Sequence, residues 1–324
     1  MSSESSGSKA NPWAWLGLLQ WSLAYSDGTS PSTTTTTRLS REDKAFLEMV
    51  MKEGILDENE RMKTILKDVT TQIDAWRTSE TVTQEQEETV EEILQELRDI
   101  VEQIDYARAF AAMKGLDFLL GCIQETAIIP QSTRSMCLAL IATLCQHNPP
   151  VQQQLLERGS LRILSTLFFL QDNSSSDDGQ YRARIMQAMS ANVRSYDTAE
   201  TVFCELEQSP SLLELGLTMD GTTSSTALRK RTLFFLRALV TSDAAVRIRI
   251  RRFANCIILV IDNVLLVSEQ DHELVEMALE LVQQVLEQRT SVDAVLTRKD
   301  HLAAKAVERV TAIRTMTGDE REYG

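Results

Sequence analysis

The 324-residue chain is poor in the residues that punctuate a fold or carry chemistry: 12 glycines, 6 prolines, 3 histidines and 5 cysteines. With glycine this scarce and alternating apolar-polar patterns missing, a fold of many short strands and turns is excluded. His147, His272 and His301 are scattered, with no HExxH or paired-ligand spacing. The chain also lacks GxxxxGK[ST], GxGxxG and GxSxG. These absences argue against zinc hydrolases, P-loop and dinucleotide enzymes, and nucleophile-elbow hydrolases. No catalytic residue, metal or cofactor is therefore expected, and the chain reads as a non-enzyme. Cys122, Cys137, Cys145, Cys204 and Cys256 form no CxxC pair and are odd in number. They read as core residues in a reducing compartment.

Long apolar runs are missing too. No segment reaches the roughly 18 uninterrupted apolar residues of a membrane span, and MSSESSGSKA at the N-terminus does not open a signal peptide. A cytoplasmic location without membrane attachment is expected. Positive charge is the minority: 33 Lys and Arg against 47 Asp and Glu, a net charge of -14 and a pI near 4.8. Nucleic-acid affinity comes from cationic surface and counterion release, so nucleic acid is excluded as the main partner. A protein partner is expected, with the chain itself a monomer.

What is present is helical periodicity. Residues 1–40 read as a flexible segment: a polar start, a run PWAWLGLLQWSLAY carrying Trp13, Trp15 and Trp21, and a linker with five consecutive threonines. From Arg41 apolar residues recur at helical spacing, as in Leu94, Leu97, Ile100, Val101 and Ile104. Residues 41–90 are expected to form capping helices, 91–310 the main domain and 311–324 a tail. Within the main domain, residues 96–123 superpose on 139–167 with Gly115 on Gly159, an offset of 44. Further copies follow at offsets of 48, 46 and 46. Each reads helix, break, helix, glycine or turn, helix. A period of about 40–47 residues with two or three helices per unit is the mark of armadillo and HEAT repeats. The expected fold is all-α: a right-handed solenoid of about four to five repeats whose concave surface binds protein. The polar stretch QDNSSSDDGQ at 171–180 is expected to be a loop.

Two features point toward partners. Residues 80–102 hold nine acids against Arg98 alone, whereas 229–252 hold eight cations (Arg229, Lys230, Arg231, Arg237, Arg247, Arg249, Arg251 and Arg252) against Asp243 alone. A charge run is commonly a solvated helix face. A cationic patch on so acidic a protein also implies an acidic patch on a partner. The tryptophan segment has apolar residues on nearly every side as a helix, so it offers no clean stripe for a membrane. It either packs back on the solenoid as a further cap or is a peptide held on a tether.

LLQWSLAYSDG at 18–28, QIDYARAF at 103–110, LIATLCQHNPPVQQQ at 140–154 and YRARIMQAMSANVR at 181–194 together resemble the armadillo-type nucleotide exchange factors of the seventy-kilodalton heat-shock (DnaK-type) chaperones. The likeness runs with gaps from about 16 to about 300. The family's opening element is matched by Leu18, Leu19, Gln20, Trp21 and Ser22. Its Asp-Asn-Ala turn and following phenylalanine are matched by Asp105, Ala107 and Phe110, with Tyr106 in place of asparagine. Its Gln-Asn-Asn-Pro turn corresponds to Gln146, Asn148 and Pro149, with His147 in place of one asparagine. Its arginine-rich helix corresponds to Arg182, Arg184, Ala188, Ser190, Asn192 and Arg194, and its basic helix start to Arg229, Lys230 and Arg231. The resemblance implies a co-chaperone. Its concave face, through Ala107, Asp105, Arg182, Arg194, Arg229, Lys230 and Arg231, would grip one lobe of the chaperone's ATPase domain and promote ADP release. Its N-terminal segment, through Leu18, Leu19, Trp21 and Ser22, would assist substrate release. The alternative is an armadillo scaffold or adaptor without exchange activity.

Overall fold

The computed structural model describes residues 58–79, 81–171, 176–218, 225–242, 246–265, 271–287 and 293–315. The chain divides into two units, residues 1–61 and 62–324, and nearly all of the described residues belong to the second. The flexible segment expected over 1–40 lies outside the described residues, as does most of the expected tail.

Helix α1 (Glu58–Thr78) buries Met62, Ile65, Val69, Ile73 and Trp76, a 3-4-4-3 spacing that puts all five on one face. Helix α2 (Gln84–Val101) starts from a capping box. The Thr83 hydroxyl accepts from the Gln86 N–H, and the Gln86 side chain accepts from the Thr83 N–H. Three-helix units follow: α3 (Ile104–Ala112), α4 (Gly115–Gln124) and α5 (Gln131–Leu144), then α6 (Pro149–Glu157), α7 (Ser160–Leu170) and α8 (Ser176–Val193). The third unit is α9 (Asp197–Glu205), α10 (Ser209–Leu217) and α11 (Thr226–Thr241). The fourth is α12 (Val246–Arg252), α13 (Ala254–Val260), continued by a π-turn over Ile261–Leu265, and α14 (His272–Glu287). Helices α15 (Asp293–Leu296) and α16 (Lys299–Thr315) stand where the first two helices of a fifth unit would fall. Among the described residues there is no strand.

Like helices stack on like. The third helices form one row, with α2 on α5, α5 on α8, α8 on α11 and α11 on α14; the second helices α4, α7, α10 and α13 form another. First helices do the same from α3 to α6 to α9. This is the all-helical solenoid of armadillo type that the repeat period predicts. Side-chain hydrogen bonds between units carry the same signature: Arg98 to Thr143, Arg134 to Tyr181, Ser225 to the Gly179 carbonyl, Arg252 to the Leu206 carbonyl and Arg249 to Glu200 all span 45 to 49 residues. The five cysteines are buried and free of disulfides, as core thiols would be. Burial pushes the Cys204 thiol up to about 11 and the Cys256 thiol up to about 12.

Two details differ from the sequence expectation. The superposition of Gly115 on Gly159 is out by one residue, because the left-handed residues that open α4 and α7 are Lys114 (φ 64°) and Gly159 (φ 72°), an offset of 45. Gly115 serves a different purpose: a Cβ there would fall 2.3 Å from the Phe110 ring, so the glycine admits Phe110 into the core. The stretch 171–180 is only partly a loop, since α8 already begins at Ser176.

Candidate functional site

The expected partner-binding residues separate into three groups by position. Leu18, Leu19, Trp21 and Ser22 lie outside the described residues. Ala107, Arg182 and Arg229 are buried, at 2%, 3% and 6% exposure, and do not present themselves to a partner. Ala107 faces the core from α3. Arg182 donates from Nε to the Phe168 carbonyl at 3.2 Å, donates to the Gln171 carbonyl, and stacks 5.6 Å from the Phe168 ring. It fastens α8 to the end of α7. Its neighbours in the arginine-rich helix behave likewise: Ala188, Ser190 and Asn192 are buried. Asn192 donates to the Gln152 carbonyl and accepts from the Ser160 hydroxyl at 2.7 Å. The motif on α8 is therefore largely a device for holding the three helices of the second unit together.

Asp105, Arg194, Lys230 and Arg231 remain at the surface. Asp105 stands exposed in the first turn of α3, a helix that packs on α2, α4 and α6. Of the others, Arg194 and Arg231 lie at the junction of α8 and α11, in the row of third helices, and Lys230 faces α14 on the other flank of α11. Helix α11 starts from Ser225, whose hydroxyl accepts from the Leu228 N–H at 3.1 Å. It buries Leu228, Thr232, Leu233, Phe235, Leu236 and Leu239, with Phe235 packed 4.8 Å from the Phe203 ring. That phase turns Lys230, Arg231, Phe234, Arg237 and Ala238 outward at 3- and 4-residue spacing.

The cations on this stripe are not equivalent. Lys230 is bound to Asp271 at 3.0 Å and to Glu273, and Arg237 to Glu280, all at the start of or along α14. The bond to Glu273, with that to Asp271, pushes the Lys230 ammonium above its ordinary value. Arg231, on the next ridge, has no carboxylate within ion-pair reach among the described residues. Burial and the nearby Arg184 guanidinium both push its pKa down. Arg184 donates to the Gln187 amide oxygen at 3.3 Å. Arg194, at the end of α8, is half-buried, its pKa lowered by burial, and its guanidinium lies 4.3 Å from the Phe234 ring. Beside it a concavity of about 630 Å³ is lined by Arg194, Ser195, Asp197, Glu200, Ala238, Thr241 and Ser242.

Two residues set this junction that sequence reasoning passed over. Ser195 takes a left-handed φ of 61° at the break between α8 and α9, as His147 does (φ 50°) one unit earlier. The Ser195 N–H donates to Glu200 Oε1 at 3.1 Å. Glu200 Oε2 receives Arg249 at 2.5 Å in an ion pair whose side chains are 4% and 7% exposed. In the preceding unit Gln152 stands where Glu200 does, its amide donating to the carbonyls of Ala191 and Arg194. Gln152 thus fixes the turn that carries Arg194. The spacing of Arg231, Phe234 and Arg237 on a helix that also buries Phe235 is the signal that would have found Phe234.

Among the described residues no group of His, Cys, Asp and Glu could hold a metal, and no helix is long and apolar enough to cross a membrane. The arrangement offers a cationic surface with one aromatic ring, suited to binding protein.

Residues 16–110 match the family model "nucleotide exchange factor Fes1". The match bears out the resemblance read from the sequence and supports an exchange-factor role. It takes in Leu18, Leu19, Trp21 and Ser22 as well as Asp105, Ala107 and Phe110. The arginines of α8 and α11 lie beyond it. A search of curated proteins returns no match. The similar solved structures include an engineered protein, 14% identical with a TM-score of 0.49 over 74% of this chain and 93% of that one. They also include a designed armadillo repeat protein in complex with the peptide (KR)4, 15% identical with a TM-score of 0.49 over 74% and 97%. A second designed armadillo repeat protein is 14% identical, with a TM-score of 0.48 over 73% and 95%.

Proposed function

We propose that this chain is a cytoplasmic co-chaperone, a nucleotide exchange factor that binds the ATPase domain of a seventy-kilodalton heat-shock chaperone through its row of third helices and promotes ADP release. The observation that carries the reading is the exchange-factor match over residues 16–110; the cationic surface where α8 meets α11 supplies a docking face of suitable chemistry. Exchange of this kind needs no catalytic residue. ADP lies between two lobes of its ATPase domain, so a protein that binds the open arrangement better than the closed one lowers ADP affinity by that difference, and ADP weakens the protein's grip equally. Taking an equilibrium from 1:99 to 99:1 requires about 5.5 kcal/mol of differential binding, which is within the reach of an interface of ordinary size.

The test is stopped-flow release of a fluorescent ADP analogue from the ATPase domain with increasing amounts of this protein. Acceleration that saturates is the expected result, and Arg231→Ala should weaken it because that guanidinium has no acid of its own. Unchanged release would leave a scaffold without exchange activity. Ala107→Arg is a poor probe, since a guanidinium forced into a 2%-exposed site disrupts the first repeat rather than blocking a surface.

The N-terminal segment has a separate role in this proposal: with Leu18, Leu19, Trp21 and Ser22 it assists release of the chaperone's substrate. Removal of residues 1–40 should then leave ADP release nearly unchanged and slow the discharge of a labelled peptide substrate. Loss of exchange on the same truncation would assign the segment to the fold instead.

A further inference from the structure

Phe234 leaves 38% of its surface open while its neighbour Phe235 is wholly buried. A single exposed phenylalanine is ordinary on a protein surface, but this one is held. The guanidinium carbons of Arg194 and Arg237 lie 4.3 and 5.9 Å from its ring centroid, both within cation–π range. Arg194 comes from the end of α8, in the preceding unit, and its backbone carbonyl is fixed at 2.9 Å by Gln152. Its Nε is buried and makes no hydrogen bond. The concavity that Arg194 and Ala238 share with Asp197 and Glu200 opens alongside; Glu200 there is already paired with Arg249, and Arg231 stands one turn back along α11, on the other side of Phe234 from Ala238.

We propose that Phe234, held between Arg194 and Arg237 beside this concavity, is the anchor of the docking surface, taking an apolar side chain from an acidic protein segment whose carboxylate meets Arg194 and Arg231. The inference rests on the docking reading above and adds a residue and a ligand chemistry to it. Binding energy at protein interfaces concentrates in aromatic and arginine side chains set in pockets. A ring already fixed by two guanidiniums loses little freedom when a partner covers it. The surrounding charge selects for acid: Arg231 and Arg184 repel each other until an anion lies between or beside them, whereas a basic segment would add to that repulsion.

The experiment is calorimetric titration of the full chain, wild type and variants, into the ATPase domain of a seventy-kilodalton heat-shock chaperone, with far-UV circular dichroism of each variant. Phe234→Ala should bind at least about tenfold more weakly with helicity unchanged and only a small drop in thermal midpoint, because the ring is partly exposed. Phe234→Tyr should bind close to wild type. Arg194→Gln made in the Phe234→Ala background should add little to the loss, showing that the two side chains act together. Wild-type binding with an unaffected Phe234→Ala would overturn the anchor and leave the exchange reading standing. A wild-type chain that does not bind at all would overturn both.

Discussion

The two flanks of α11 carry the same kind of charge in different settings. Toward α14, Lys230 and Arg237 meet Asp271, Glu273 and Glu280. Toward α8, Arg231 and Arg194 form no ion pair among the described residues; Arg231 lies near Arg184, and Arg194 stacks on an aromatic ring. A further cation of the basic run, Arg249, reaches inward to Glu200. A run of eight cations in the sequence therefore presents much less free charge than its length implies. Lys230, Arg237, Arg249 and Arg252 hold neighbouring units together, whereas Arg231 stands on the ridge of α11 that faces α8.

That comparison can be broken most severely at its buried end. Arg249→Ala leaves the Glu200 carboxylate enclosed without its cation, at a cost of about 3–5 kcal/mol, and should lower the urea midpoint of the unit. If it leaves that midpoint unmoved, the inner cation is no more structural than the outer ones. A gentler intervention sharpens the contrast between the flanks. Glu273→Gln combined with Glu280→Gln frees Arg237 and takes one of its two carboxylates from Lys230, leaving Asp271, at a stability cost of about 1 kcal/mol or less, because these pairs are largely exposed. The double variant should associate several-fold faster with an acidic partner at low ionic strength, and the gain should fade as salt screens it. An association rate that does not respond would mean that the α14 flank faces away from the docked partner.

The repeat architecture was legible because its period is written in apolar spacing and in the few breaks the chain allows. Offsets of 44 to 48 in sequence reappear as hydrogen bonds spanning 45 to 49 residues. What the sequence hid was which polar residues face inward. Arg182 and Asn192 read as exposed members of a basic helix, yet both are buried, with hydrogen bonds to α6 and α7 of their own unit. A linear pattern does not say which helix will cover which face. Lys114 shows the same limit for the backbone: nothing in MKGLD singles out the lysine, not the glycine after it, as the left-handed residue, because the choice is made by the Phe110 ring that fills the space over Gly115. Phe234 was overlooked for a related reason. LFFL reads as four core residues until the helical phase is fixed by the burial of Phe235 and Leu236.

The hydrogen bonds that step from one unit to the next at a near-constant separation also bear on how the molecule assembles. Closing a loop costs entropy that grows only with the logarithm of its length, and here each successive closure is of about the same length as the last. A chain of this size would ordinarily face some long-range closures. The solenoid replaces them with a series of short ones, each prepared by the unit before it, so its folding should depend on the length of one repeat and only weakly on the number of repeats.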